Sequence, residues 1–512
     1  MAESRVINTK KNILGGMLNR IVMLLLPFLT RTAIIYTFGA EYLGLNSLFA
    51  AILNVLALAE LGVGSAMVFS MYKPMAEGDD DTVCALLNLY RKIYRIIGSV
   101  ILIVGLSLLP FLDKLIKGNP PDAVNIYILY LIFLSNTVIS YFLFAYKTSI
   151  LTAAQHSYIL SNISSVLSVI SELTKLLMIV VFKDFYLYCL VGIPFTVINN
   201  LVANHVVNKN YPQYKCFGVL DKEIITDIKK RVAGLFMYKI CYVFRDTFGS
   251  LVVSAFIGLA VLGEYNNYMY IYTSIAGFLN IIRGSMQASV GNSMVTESED
   301  KNHSDFRQFH WIYMFMATWC TVCMFVLFQP FIKVWIGGEY QLDFLTMTSI
   351  CILFLVGNNG DMCMTYRQAA GLWWQDKFRP LVESVVNVIL CLVLVKPMGV
   401  LGVVLSSTIC MFFINSVWAA WTLYRYYFKT FKLLNYLKRW LFYFVAGLVV
   451  MAITALVCQL VSLDGVPRLI FNGAVCIVIS PLLIFAIYRL MPESRSAIAF
   501  FRKAIKLGFK TK

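Results

Sequence analysis

Charge is the scarcest resource in this 512-residue chain. Only 14% of its residues are Asp, Glu, Lys or Arg, against 59% hydrophobic, and the mean hydropathy is +0.75. Soluble domains carry about 25% charged residues, so this poverty excludes a water-soluble globular class. Histidine is scarcer still: four, at 156, 205, 303 and 310, with no ligand pair among them. Gly-rich phosphate loops, nucleophile elbows and metal-ligand clusters are missing from the sequence, and nothing is left over for an ATP-binding domain. No cofactor is implied. The twelve cysteines fall mostly inside apolar stretches; Cys320 and Cys323 have C-x-x-C spacing, but without a nearby histidine they read as packing rather than metal or redox ligands.

What the chain does have is about fourteen long apolar stretches: 12–37, 43–71, 95–112, 123–146, 157–182, 185–207, 233–260, 265–295, 309–332, 343–366, 380–395, 400–424, 440–461 and 468–489. Crossing a hydrocarbon core takes about 20 helical residues. The expectation is therefore an all-α, polytopic integral membrane protein. Cationic residues orient such a chain, because Lys and Arg are retained on the cytoplasmic side. With the N-terminus inside, 31 of the 43 Lys and Arg fall on the inner side and 6 on the outer. That bias predicts a multi-pass protein of the cytoplasmic membrane with both termini cytoplasmic, and it accounts for the net charge of +16 without nucleic acid.

The sequence also echoes itself. Gly39-Ala40-Glu41-Tyr42 at the first outer turn returns as Gly263-Glu264-Tyr265, an offset of 223 residues, and Tyr146-Lys147 with Gln155 returns as Tyr366-Arg367 with Gln375 at an offset of 220. Two pseudo-symmetric six-helix lobes around a central cavity are expected from this, an N-lobe over 1–207 and a C-lobe over 233–427. A basic linker, 208–232, joins them, and residues 428–512 add two further helices and a basic tail.

Six cations lie inside the spans: Arg20, Arg31, Lys175, Lys239, Arg245 and Arg283. Each costs roughly 2.5–3.5 kcal/mol near a helix centre, so they should face a wet cavity, a charge partner or an anion. Arg20 and Arg31 are eleven residues apart, close to three helical turns or about 16 Å, which makes either a ladder for a moving anion or a brace to carboxylates such as Glu60. Pro27 between them should kink the first helix, as a lateral gate or as a packing bend. Lys239 with Arg245 and Asp246, and Asn280 with Arg283 and Gln287, are further polar groupings. Glu172 and Lys175, three apart, read as an internal ion pair or a cargo contact. Gly357-Asn358-Asn359-Gly360-Asp361 reads as a hinge or ion site, or as the end of its helix. The 223-residue offset also makes Glu60 and Arg283 equivalent positions of opposite charge. They are either a gate that closes between lobes or two residues with separate partners.

Glu41-Tyr42-Leu43-Gly44-Leu45-Asn46, Leu58-Ala59-Glu60-Leu61-Gly62-Val63-Gly64-Ser65-Ala66 and Tyr72-Lys73-Pro74 resemble the Wzx-type polysaccharide flippases, whose superfamily also holds the MATE antiporters and the lipid II flippases. Ala153-Ala154-Gln155 and Val290-Gly291-Asn292-Ser293 extend the resemblance. It implies alternating access and flipping of an undecaprenyl-diphosphate-linked oligosaccharide, with membrane lipid, a polysaccharide polymerase and chain-length machinery as partners. Two alternatives stay open. A drug or ion antiporter would favour an acidic pocket, whereas this interior holds six cations against Glu60, Glu172, Asp246 and Asp361. A membrane-embedded polymerase or glycosyltransferase would need a large outer loop, whereas the segments near 111–123 and 333–342 are short.

Overall fold

The computed structural model describes residues 26–499 except 61–62, 118–119, 122, 155 and 373; the side chains of 59, 230–231, 233–246, 285, 287–289, 292 and 295 are also outside the description. Every regular element among the described residues is helical. Among the described residues seven helices are long and apolar enough to cross a membrane, or nine if two bent pairs each count as one span. Of the expected fourteen, the stretch 12–37 lies partly outside the described residues, and two others fall short for physical reasons. The stretch 43–71 is broken after a 17-residue helix, and the polar run at 357–361 dilutes the hydropathy of another.

The chain forms two compact units, Met1–Gly263 and Glu264–Lys512. The first contains α1 (26–38), α2 (Ala40–Leu56), α3 (Val63–Glu77), α4 (Asp80–Ser107), α5 (Ile126–Phe142), α6 (Thr148–Ala153), α7 (Ser157–Leu177), α8 (Phe185–Leu190), α9 (Gly192–Asn210) and α10 (Lys222–Phe256). Polar side chains start several of them. Asp79 accepts from the Thr82 amide at 3.0 Å and Asp184 from the Tyr186 amide at 2.8 Å, which satisfies helix-end donors that lipid cannot. Glycines let the helices approach. Gly98 and Gly105 of α4 sit against Tyr141 and Leu134 of α5, the small-residue packing expected where no hydrophobic effect drives helices together. Close approaches also join α2 to the start of the helix from Leu259: Gly44 abuts the backbone of Leu259, and Gly263, which is helical where the echo predicts a turn, abuts the backbone of Ala40.

The helix α11 (Leu259–Thr296) runs into the second unit, which continues with α12 (Glu299–Trp335), α13 (Phe344–Ala369), α14 (Arg379–Met398), α15 (Val400–Ile409), α16 (Val417–Tyr426), α17 (Leu433–Gln459) and α18 (Gly465–Tyr488). A π-helical segment, Cys410–Ser416, links α15 to α16. α12 forms the centre of the unit and packs on α13, α17 and α18. Trp311 and Trp319 of α12 donate to the carbonyls of Tyr488 and Cys476 at 3.1 and 2.7 Å. The Gly357–Asp361 run is neither a break nor an end, since α13 continues through it to Ala369. Its glycines make room for the π segment: a Cβ on Gly360 would press on Ser416, and one on Gly357 on Met411.

Candidate functional site

An open cavity of about 460 Å³ lies within the first unit, lined by residues of α1, α5, α7 and α9. One helix explains its polarity. Ser164, Ser168, Ser171 and Lys175 recur at three- and four-residue spacing along α7, with Glu172 four beyond Ser168, so they share one edge. Val166, Ile170, Leu173 and Leu177 form the opposite edge and are exposed, as a lipid-facing surface requires. Thr196, Asn199 and Asn200 of α9 and Asn136 and Ser140 of α5 complete the polar lining. They hold one another: Thr196 donates to Asn136 at 2.7 Å, Ser164 to Asn199 at 3.4 Å and Asn200 to Ser140 at 3.3 Å.

The charges at this cavity are matched. Lys175 Nζ lies 2.6 Å from Glu172 Oε1, and Thr30 of α1 donates to Glu172 Oε2 at 2.6 Å. Pro27 also lines the cavity. It is the second described residue of α1, so the turn before it, where the expected kink would form, lies outside the described residues, as does Arg20. Arg31, half-buried on α1, is within electrostatic range of the buried Tyr188 of α8.

Glu60 occupies a separate place in the same unit, at the 3-10 turn that ends α2's stretch. The hydroxyls of Tyr94 and Tyr141 donate to its two carboxylate oxygens, the second at 2.6 Å, and Tyr90 donates to Tyr94 at 3.0 Å.

In the second unit Arg283 Nη1 lies 2.8 Å from Asp361 Oδ1. The Tyr313 hydroxyl stands 2.9 Å from both Asp361 Oδ2 and Asn358 Oδ1. Asn358 is oriented by its amide bond to the Phe354 carbonyl at 2.8 Å, and Asn359 donates to the Trp440 carbonyl at 2.9 Å while His310 contacts its side chain at 3.0 Å. Glu60 and Arg283, aligned by the echo, thus each have a partner inside their own unit. Asn280 is exposed. Lys239, Arg245, Asp246 and Gln287 sit on helical backbone, with side chains outside the description.

One cluster escaped the sequence reading. Arg367 and Arg379, two of the cations that the positive-inside count places on the inner side, are both fully buried where α13 gives way to α14. Asp376 bridges them, 2.7 Å from Arg367 and 2.8 Å from Arg379, and Glu383 takes Arg379 at 3.0 Å and the Asn415 amide at 3.0 Å. Part of the signal was present in the spacing of Arg379 and Glu383, four apart on α14, with Asp376 in the turn just before that helix. Among the described residues no group of His, Cys, Asp and Glu could hold a metal ion.

No family model matches the chain, and no curated protein sequence matches it. Solved structures do. The chain is similar to the lipid II flippase MurJ in an inward closed conformation, with a TM-score of 0.63 at 16% identity over 93% of this chain and 98% of that one. It is similar to an inward-facing multidrug resistance MATE family transporter of the MOP superfamily, with a TM-score of 0.60 at 14% identity over 80% and 97%. A MATE transporter from Vibrio cholerae gives 0.54 at 14% identity over 84% and 99%. At these identities the likeness fixes the fold, which is that of MOP superfamily transporters, in a multi-pass membrane protein.

Proposed function

We propose that this protein is a flippase that carries an undecaprenyl-diphosphate-linked oligosaccharide from the inner to the outer leaflet of the cytoplasmic membrane, for polysaccharide assembly. It works by alternating access with both termini in the cytoplasm, and it hands its cargo to a polysaccharide polymerase and chain-length machinery. Arg20, Arg31, Lys239, Arg245 and Arg283 serve the diphosphate, while Glu60, Glu172, Lys175, Asp246 and Asp361 with Pro27 serve gating or coupling. A sugar diphosphate cannot enter hydrocarbon without losing its hydrogen bonds and hydration; the protein supplies replacements.

The observation that carries this reading over drug antiport is the state of three carboxylates that the sequence places inside the spans, Glu60, Glu172 and Asp361. Glu60 is taken by Tyr94 and Tyr141, Glu172 by Lys175 and Thr30, and Asp361 by Arg283 and Tyr313. A lipophilic cation would have to displace those donors. The likeness to a lipid II flippase supports a lipid-linked cargo.

Proteoliposomes containing the purified protein and a fluorescent undecaprenyl-diphosphate oligosaccharide test the proposal. Outer-leaflet exposure of the glycan should rise with protein and leave the glycan covalently unchanged. Ethidium efflux with no lipid translocation would replace the flippase reading with antiport, and an altered glycan would replace it with an enzyme.

A further inference from the structure

We propose that the cavity between α1, α5, α7 and α9 is the subsite for the uncharged, hydroxyl-rich sugar part of the cargo, and not for its diphosphate. This rests on the flippase reading. About 460 Å³ falls in the roughly 300–1,000 Å³ range of ligand pockets.

Its chemistry selects against ions of either sign. Both oxygens of Glu172 are engaged, one by Lys175 and one by Thr30, so a bare cation would find no open carboxylate oxygen. An anion would meet a lysine already neutralised at 2.6 Å, with the carboxylate beside it. The formal charge of the lining is zero.

What the cavity offers is uncommitted hydrogen-bonding capacity. Among the described residues no hydrogen bond involves the Ser168 or Ser171 hydroxyl, or the amide nitrogen of Asn136 or Asn199, although the carbonyl oxygens of both amides are used. Ser171 is 8% exposed, which leaves it little access to any solvent but the cavity's own. Gly192 gives the Asn136 amide its room: a Cβ there would stand 3.0 Å from the amide nitrogen. Leaving such donors bare at membrane depth is costly. Hydroxyls and ring oxygens of a sugar are matching acceptors, and Phe195 adds an apolar wall for a pyranose C–H face.

The test compares two probes on the full chain in nanodiscs: undecaprenyl diphosphate carrying a short neutral oligosaccharide, and undecaprenyl diphosphate alone. The double variant Ser168→Ala/Ser171→Ala should bind the glycosylated lipid about tenfold more weakly, the loss of two neutral hydrogen bonds. Its binding of the bare lipid should be unchanged. Ser165→Ala, whose hydroxyl bonds the Ser161 carbonyl at 2.7 Å instead, should bind both as wild type does. If the double variant folds poorly, each single serine change should give about a threefold loss with the glycosylated probe alone. Unchanged binding of both lipids would mean that the cavity holds only water and would overturn the subsite. Equal weakening of both would overturn it as well. Wild-type protein that binds neither lipid would overturn the flippase reading and the subsite with it, a pattern distinct from the other two.

Discussion

Ala40 and Gly263, which the internal echo aligns at an offset of 223 residues, touch: a Cβ on Gly263 would fall on the carbonyl oxygen of Ala40. The residues are backbone neighbours, Ala40 at the first position of α2 and Gly263 within the first turns of α11. Gly44 against Leu259 is a second close approach beside it.

Larger residues at these glycines should therefore destabilise the protein by overpacking. Gly263→Val and Gly44→Val are expected to cost about 1–3 kcal/mol each. Thermal unfolding of detergent-solubilised protein followed by light scattering would reveal this. Wild-type transition temperatures for both variants would mean that the backbones separate without penalty.

Neutralising Arg283 should stop transport without lowering abundance. The Arg283→Gln variant loses the group that Asp361 holds at 2.8 Å and, with it, the cation proposed for the diphosphate. Normal leaflet exchange by this variant would remove Arg283 from the cargo path. Because Glu60 and Arg283 are each bonded inside their own unit, the swap Glu60→Arg/Arg283→Glu is expected to give additive losses. Recovery of activity in the double mutant would instead reveal an encounter between them during the cycle.

Removing both phenol hydroxyls from Glu60 should weaken the fold. Tyr94→Phe/Tyr141→Phe strips a carboxylate of two donors, at about 1.5–3 kcal/mol for each charge-assisted bond. Adding Glu60→Leu to that background should restore part of the stability, since no polar group is then left unpartnered. A triple variant no more stable than the double would show that the carboxylate is satisfied elsewhere.

The Arg367–Asp376–Arg379–Glu383 cluster should tolerate loss of its central acid badly. Asp376→Asn leaves two buried guanidinium groups facing one remaining carboxylate, a change of about 3–5 kcal/mol for broken buried pairs. Chemical unfolding of the variant against wild type measures it. A difference below about 1 kcal/mol would place water within the cluster.

The membrane class was legible because long apolar runs admit one explanation, and the MOP-like fold followed from motifs concentrated in the first third of the chain. The partners of charged residues were legible only where they are close in sequence. Lys175 found Glu172 three residues away, whereas Asp361 lies 78 residues from Arg283 and nothing local connects them. The burial of Arg367 and Arg379 was not legible, because a topological count assigns a cation only to a side of the membrane, while burial depends on acids that only the fold assembles. The serine edge of α7 was written in the spacing. It stayed silent because serine is neutral enough to pass within a long apolar stretch such as 157–182. The expected lobe boundaries rest on the echo, and spans broken by turns, such as 43–71, cannot be counted from hydropathy alone.

With Val166, Ile170, Leu173 and Leu177 exposed along one edge and Ser164, Ser168 and Ser171 lining the cavity along the other, α7 is a partition one helix thick. A helix with its side chains is about 10–12 Å across, so that is all that separates the serine-lined interior from the acyl chains outside. Dielectric conditions change from water-like to oil-like across a single row of side chains. A molecule with a polar head and a long hydrocarbon tail can therefore keep each end in its preferred medium by straddling one edge of one helix, with no need for a wider breach in the protein.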